Sequence, residues 1–207
     1  MRLRVDPRDG SVRLTLPRHA SLRRAYAWAE EQRPWVEEQL ARRTAGTRLV
    51  PGMSLDVAGA SLTLLADPGR RTVRREGDTL LVPTDRELFE ARVLRWLKAE
   101  ARRVLEAETR AVANKAGVSI ARVSVGDTRS RWGSCSASGD IRYSWRLILA
   151  PDFVRRSTVA HEVAHRVHMN HGPAFKGLER KLLGESPAAA RAWLRAYGAA
   201  LHGYGRS

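Results

Sequence analysis

The sequence predicts an α+β fold: an antiparallel β-rich part over residues 1–83 with one helix, then a mainly helical part over 84–207 with a short sheet. Three observations predict it. Short alternating apolar runs, separated by Gly, Pro and Asp turns, crowd the first 83 residues. Apolar stripes at helical spacing begin at Leu88 and recur towards the C-terminus. The chain has 207 residues, 43% hydrophobic and 29% charged, enough for one or two domains with a sizeable core.

The elements follow in order. In residues 1–17, Leu3 and Val5 alternate with Arg, Asp9-Gly10 signals a turn, and Val12, Leu14 and Leu16 alternate again, which makes a hairpin. Ser21 caps a helix reaching about Arg43, and Pro34 splits or kinks it. Strands are expected at Leu55–Val57, Leu62–Leu65, Thr72–Arg74 and Leu80–Val82, in an antiparallel unit joined to the first hairpin. Arg70, Arg71, Arg74 and Arg75 flank one of its turns and read as a solvated edge that resists aggregation.

A capping box, Thr84-Asp85-Arg86-Glu87, opens a long helix with a Leu88, Phe89, Val93, Trp96, Leu97, Ala101, Val104, Leu105 stripe, ended by Gly117. Val118 to Val125 suggests a strand, Arg129–Ser136 a loop of small residues, and Ile141–Leu149 an apolar strand. Residues 152–169 form a helix with Asp152 at its start, and two further helices carry Phe175–Leu183 and Trp193–Leu201.

Chemistry concentrates in His161-Glu162-Val163-Ala164-His165. Two histidines four apart lie one turn apart on one helix face, where both imidazoles reach a single Zn2+ at ~2.0–2.1 Å. Glu162, beside the first ligand, stands where the general base of a zinc hydrolase stands. The apolar set Val159, Val163 and Val167 lies on another face, so the helix can be buried and still present its ligands. His171, six residues after His165, is placed to be the third ligand once Asn170-His171-Gly172-Pro173 turns the chain back. His168 is the rival, but it lies about 10 Å along the axis from His161, and three ligands in line on a straight helix do not close around a tetrahedral ion.

With the stretch Arg131-Trp132-Gly133-Ser134-Cys135-Ser136, the segment carrying Trp145-Arg146-Leu147, and Asn170-His171 with Pro173 and Phe175, the chain resembles the YgjP-type metallopeptidases, relatives of SprT-like and other zincin proteases. The resemblance runs through most of the chain. It implies a zincin-like metallopeptidase core in the C-terminal part, with His161, His165 and His171 as ligands of one catalytic Zn2+ and Glu162 as acid/base. It also implies that the strand ending in Leu149 carries the substrate peptide by edge pairing. Three positions depart from the family pattern: Ser144 stands where Asn is expected, and Gly172 and Lys176 where Ser and Trp are expected. None is a ligand.

Around the centre, Arg131 offers a fixed fork that binds a carboxylate or phosphate of the substrate, or locks its own loop by an ion pair. Tyr143 could donate to an oxyanion or simply pack, and Trp145 lies on the same segment. Cys135, the sole cysteine, reads as a partly buried thiol rather than a ligand.

Peptide bonds of a protein or peptide are the leading substrate. Net charge is +15, from 37 basic and 22 acidic residues, which also admits a nucleotide or nucleic acid: a nucleoside triphosphate pyrophosphohydrolase using the same site, or a nucleic-acid-associated module. Only Lys98, Lys115, Lys176 and Lys181 are lysines, and Arg is spread along the chain without a compact tract. No apolar run is long enough to span a membrane, the first residues lack a signal peptide's apolar core, and no internal disulfide can form, so a cytoplasmic protein is expected. Nothing in the sequence specifies an oligomeric state.

Overall fold

The computed structural model describes residues 1–5, 10–41, 46–84, 87–128 and 130–205. Among them the architecture is α+β, with three sheets and six α-helices. Among the described residues no helix is long and apolar enough to cross a membrane.

Strands β1 (Arg2–Val5) and β2 (Val12–Thr15) form the expected antiparallel hairpin, with Leu3 opposite Leu14. Asp9 of its turn lies outside the described residues. The hairpin is a separate two-stranded sheet, against the expectation that it joins the following strands. Leu3, Val5 and Leu14 are only partly covered, so it brings no dry face on which a larger sheet could be built.

Helix α1 (Leu22–Glu31) follows Ser21, whose Oγ accepts from the Arg24 amide at 3.5 Å. Helix α2 (Arg33–Ala41) replaces its expected continuation. The break falls at Gln32, which leaves Pro34 in the first turn of α2, where its missing N–H is not needed. The expected end at Arg43 lies outside the described residues.

The next sheet contains β3 (Ser54–Val57), β4 (Ala60–Ala66), β5 (Arg74–Glu76) and β6 (Thr79–Val82) in the order β3-β4-β6-β5. It is mixed rather than antiparallel, because β6 runs parallel to β4. Burial explains the order. Leu80 and Val82 are fully buried and take the inner place, while all three side chains of β5 are exposed and stay at the edge. The charged strand therefore sits at Arg74–Glu76, not Thr72–Arg74.

Helix α3 (Phe89–Ala116) is the axis of the molecule. It buries Phe89, Val93, Leu97, Ala101, Leu105, Thr109 and Ala113, one residue every fourth position. Asp85 and Arg86 of the expected capping box lie outside the described residues, and the helix starts at Phe89 without a side-chain cap. Gly117 ends it at φ +68°, a left-handed position that suits glycine, with its N–H turned back to the carbonyls of Ala113 and Asn114.

The third sheet holds β7 (Arg122–Gly126), β8 (Gly133–Cys135) and β9 (Asp140–Ser144) in the order β7-β9-β8. Two expectations change here. The loop of small residues contains β8 (its first residue, Arg129, is outside the described residues). The strand expected over Ile141–Leu149 stops at Ser144, and Trp145–Leu149 coils into a 3-10 helix. All five residues of that coil are buried, Arg146 included. An apolar run covered on every side has no polar face to reveal its period, so alternation in sequence does not separate strand from buried helical turn. Strand β9 is also central, with partners on both edges, and so cannot pair with a substrate.

Helix α4 (Asp152–Ala164) packs along α3. Pro151 is its N-cap, and Asp152 instead meets the Arg155 guanidinium at 2.8 Å. Arg155 is buried and also reaches across to Glu108 of α3 with a bond of 2.8 Å, fixing the two helices in register. Helices α5 (Pro173–Leu183) and α6 (Ala188–Leu201) close over α4. One apolar cluster, from Leu49 through Leu105 and Val163 to Leu201, draws on both parts of the chain. The Ala58-Gly59 turn between β3 and β4 docks there, its Ala58 amide donating to Ile148 at 2.8 Å. Any Cβ at Gly59 would meet the Asp152 carboxylate at 2.8 Å.

Candidate metal centre

Helix α4 delivers His161 in its last turns and His165 at its C-cap. The helix stops at Ala164, five residues earlier than expected, so the chain turns at once and the following loop brings His171 back. Gly172 caps α5, and Pro173 occupies its first turn with φ already suited to helix. One nitrogen from each of His161, His165 and His171 lies within 4.8 Å of the others. The Nε2 atoms of His161 and His171 are 3.2 Å apart.

The donor set fits a divalent ion that prefers nitrogen. Ligands of a tetrahedral ion at ~2.0–2.1 Å stand about 3.3 Å from each other. The far nitrogens are already engaged: Nδ1 of His161 with Glu179 Oε1 at 2.8 Å, and Nδ1 of His165 with the His168 carbonyl at 3.2 Å. A ring that donates from Nδ1 presents its Nε2 lone pair, as a ligand must. Burial pushes the His161 and His165 pKa values down, against the Glu179 carboxylate in the first case, and favours the neutral rings that metals require. Phe175, fully buried, touches all three rings with centroids 4.6 to 5.0 Å away and holds them together. His168 gives the cluster its carbonyl; its ring is not part of it.

Glu162 lies on the sheet side of α4, 5% exposed. Its carboxylate is packed against β8: a Cβ on residue 133 would come within 2.4 Å of Oε1, so a larger residue there would displace the carboxylate or the strand. Burial, opposed by the charge of Arg131, pushes the Glu162 carboxyl up to about 7. Arg131 thus acts on the site electrostatically. Its carbonyl accepts from Thr128 Oγ1 at 2.6 Å, which steadies the loop before β8, and among the described residues no ion pair takes up its guanidinium.

Tyr143 and Trp145 are buried and do not line the pocket beside His161 and Glu162. Tyr143 is wholly buried, and its hydroxyl shares a hydrogen bond of 3.0 Å with Thr109 of α3. Trp145 is 1% exposed under the Arg146 guanidinium, 4.6 Å from its ring centre. Both are core residues, as the all-buried environment of this segment dictates. Cys135 lies outside the histidine cluster, its thiol pushed up by burial against the pull of Arg166.

Three residues at the centre were not singled out from sequence. Glu179 of α5, 2% exposed, accepts from His161 and also from Arg191 of α6 at 2.7 Å. Its one signal was a carboxylate four residues after Phe175, on a helix face that is otherwise apolar. Arg191 carried none, being one of many surface arginines, and Gly133 carried only the generic smallness of its loop. A pocket of about 240 Å³ adjoins His161 and Glu162, walled by Trp132, Gly133, Ala190 and Leu194, with Arg191 on its lining.

Residues 1–197 match the sequence profile of the YgjP-like family, described as a metallopeptidase domain. No curated protein and no solved structure matches the chain.

Proposed function

The chain belongs to the YgjP-like metallopeptidase family, and from that premise we propose that it is a zinc-dependent peptidase with a zincin-like core, in which Glu162 is the general base. The observation that carries the reading is the convergence of three imidazole nitrogens within 4.8 Å, one residue along α4 from a buried carboxylate. His161, His165 and His171 would hold the ion. Zinc, when bound by three neutral imidazoles, supplies a +2 charge that polarises a carbonyl and makes water acidic near neutral pH.

The chain's own residues do the rest. Glu162 takes a proton from the attacking water on a carboxylate oxygen and delivers it to the departing amine nitrogen. In the metal-free chain burial raises this carboxyl to about 7, which strengthens its hold on a proton. Glu179 keeps the His161 tautomer fixed, and Phe175 keeps the rings from turning.

Substrate would lie along β8. This strand is one of the two edges of its sheet, and its Gly133 lies against Glu162. Pairing by main-chain hydrogen bonds there places a peptide across the general base and tolerates varied sequence. The adjoining pocket then takes one substrate side chain.

The test is hydrolysis by zinc-loaded protein and by Glu162→Gln, offered an unfolded protein, a peptide pool and the four nucleoside triphosphates in parallel. Peptide cleavage that Glu162→Gln abolishes is the expected outcome. Release of pyrophosphate without peptide cleavage would overturn the peptidase reading and move the same machinery to phosphoanhydrides.

A further inference from the structure

On the other flank of α3, a cavity of about 430 Å³ opens between this helix and the chain that leads into β5. Arg92, Arg95 and Trp96 enter it from α3, and Arg71 and Val73 from the opposite side, with Pro83 at one end. No acidic residue lines it. The catalytic centre contributes nothing to it.

The arginines here differ from their neighbours. Farther along α3, Arg103 is answered by Glu100 and Arg110 by Glu106, one turn earlier in each case. Across the cavity, Arg70 is held by Asp67 and Glu76, and Arg75 donates to the Gly77 carbonyl. Arg95 has Arg92 three residues before it and Lys98 three after, so no carboxylate is within helical reach. Glu90, the nearest acid before them, is turned to Arg48 and the Leu49 amide. Among the described residues no ion pair engages Arg71, Arg92 or Arg95; Arg92 spends one N–H on the Pro83 carbonyl. Three cations facing one cavity repel each other, and an anion relieves that repulsion.

The aromatic residue narrows the class of anion. Trp96 is half-buried: it packs against the core on one side and lines the cavity on the other. A planar aromatic wall beside guanidinium forks suits a flat ring joined to a phosphate. A cavity of this size holds about one such unit. We propose that this cavity binds a nucleoside phosphate unit, its phosphate on Arg71, Arg92 and Arg95 and its base against Trp96. Two sources share this chemistry, a free nucleotide and one residue of a single strand. The formal charge of +15 on the chain draws either form towards the surface.

Fluorescence anisotropy of a labelled oligothymidylate, titrated with the full chain at several salt concentrations, tests this. The pocket double variant Arg71→Glu with Arg95→Glu is compared with Arg23→Glu plus Arg24→Glu on α1, an equal change of charge outside the cavity. Circular dichroism confirms that each is folded. The pocket double is expected to weaken binding at least tenfold, the α1 double less than about threefold. Trp96→Leu, which keeps apolar bulk, is expected to weaken it about tenfold, the loss of one stacked base. Displacement of the oligomer by nucleoside monophosphates identifies the free nucleotide as a source; displacement by unlabelled strand alone identifies the strand. Equal weakening by both doubles, absence of saturable binding, or equal displacement by an acidic peptide at matched charge would each overturn the proposal.

Discussion

The Nδ1 atom of His161 lies 2.8 Å from Oε1 of Glu179, and Glu179 is in turn clamped by Arg191 at 2.7 Å. A buried carboxylate is thus held between a ring it orients and a guanidinium that compensates its charge. Glu179→Ala removes the acceptor, frees the His161 tautomer and leaves Arg191 without its partner. It is expected to weaken zinc binding about 10- to 100-fold, measured by competition with a chromophoric chelator. Glu179→Gln retains an acceptor oxygen and should lose less. Equal affinity of Glu179→Ala and wild type would remove Glu179 from the metal centre.

The third ligand is decided by comparing His171→Ala with His168→Ala. The first is expected to lose bound zinc. The second should keep it, because the contribution of His168 is a backbone carbonyl that alanine also has. Metal content after gel filtration gives the answer, and the reverse pattern would mean that the wrong histidine has been chosen. Cys135→Ala, outside the cluster, should retain full metal content.

Glu162→Gln is expected to bind zinc as wild type does and to lose hydrolysis by about 10²- to 10⁴-fold, the usual range for a missing general base. Turnover at the wild-type rate would show that another group moves the proton.

The same variant reads the environment of Glu162. Its carboxyl, raised from an ordinary 4.5 to about 7 by burial, binds a proton in the folded chain at pH values where the unfolded chain has released it. Stability of the chelator-treated protein therefore falls as pH rises from 4.5 to 7, by about 3 kcal/mol at most. Gln does not ionise, so the stability difference in favour of Glu162→Gln should grow across that window and level off above it. Urea unfolding at several pH values measures it; a constant difference would contradict the burial.

Gly133→Ala places a methyl group against the Glu162 carboxylate. Either β8 or Glu162 must shift, so activity should fall at least tenfold while stability falls by about 1–3 kcal/mol. Retention of full activity would show that β8 does not position the base.

The extent to which each feature was readable follows from how local its cause is. The spacing of His161, Glu162 and His165 needs only helical geometry, and Asn170 to Pro173 announces the turn that returns His171. The α3 stripe was legible for the same reason: positions four apart share a face whatever the helix packs against. The segment after Ser144 was not, because Trp145 to Leu149 are covered on all sides and their pattern has no polar half. Nor was the place of β6, since Leu80 and Val82 say that a strand is buried but not which neighbour it takes.

By itself, then, the sequence determined the spacing of His161, Glu162 and His165 on one helix, the turn that returns His171 and the α+β class. Tertiary structure alone decided that β9 is central and β8 outer, that Tyr143 and Trp145 face the core, and that Glu179 with Arg191 stands behind His161. Those relationships join residues on different elements, Gly133 with Glu162 and His161 with Glu179 and Arg191. No periodicity within one element encodes them; they arise only when the helices and sheet are packed to bury one common core.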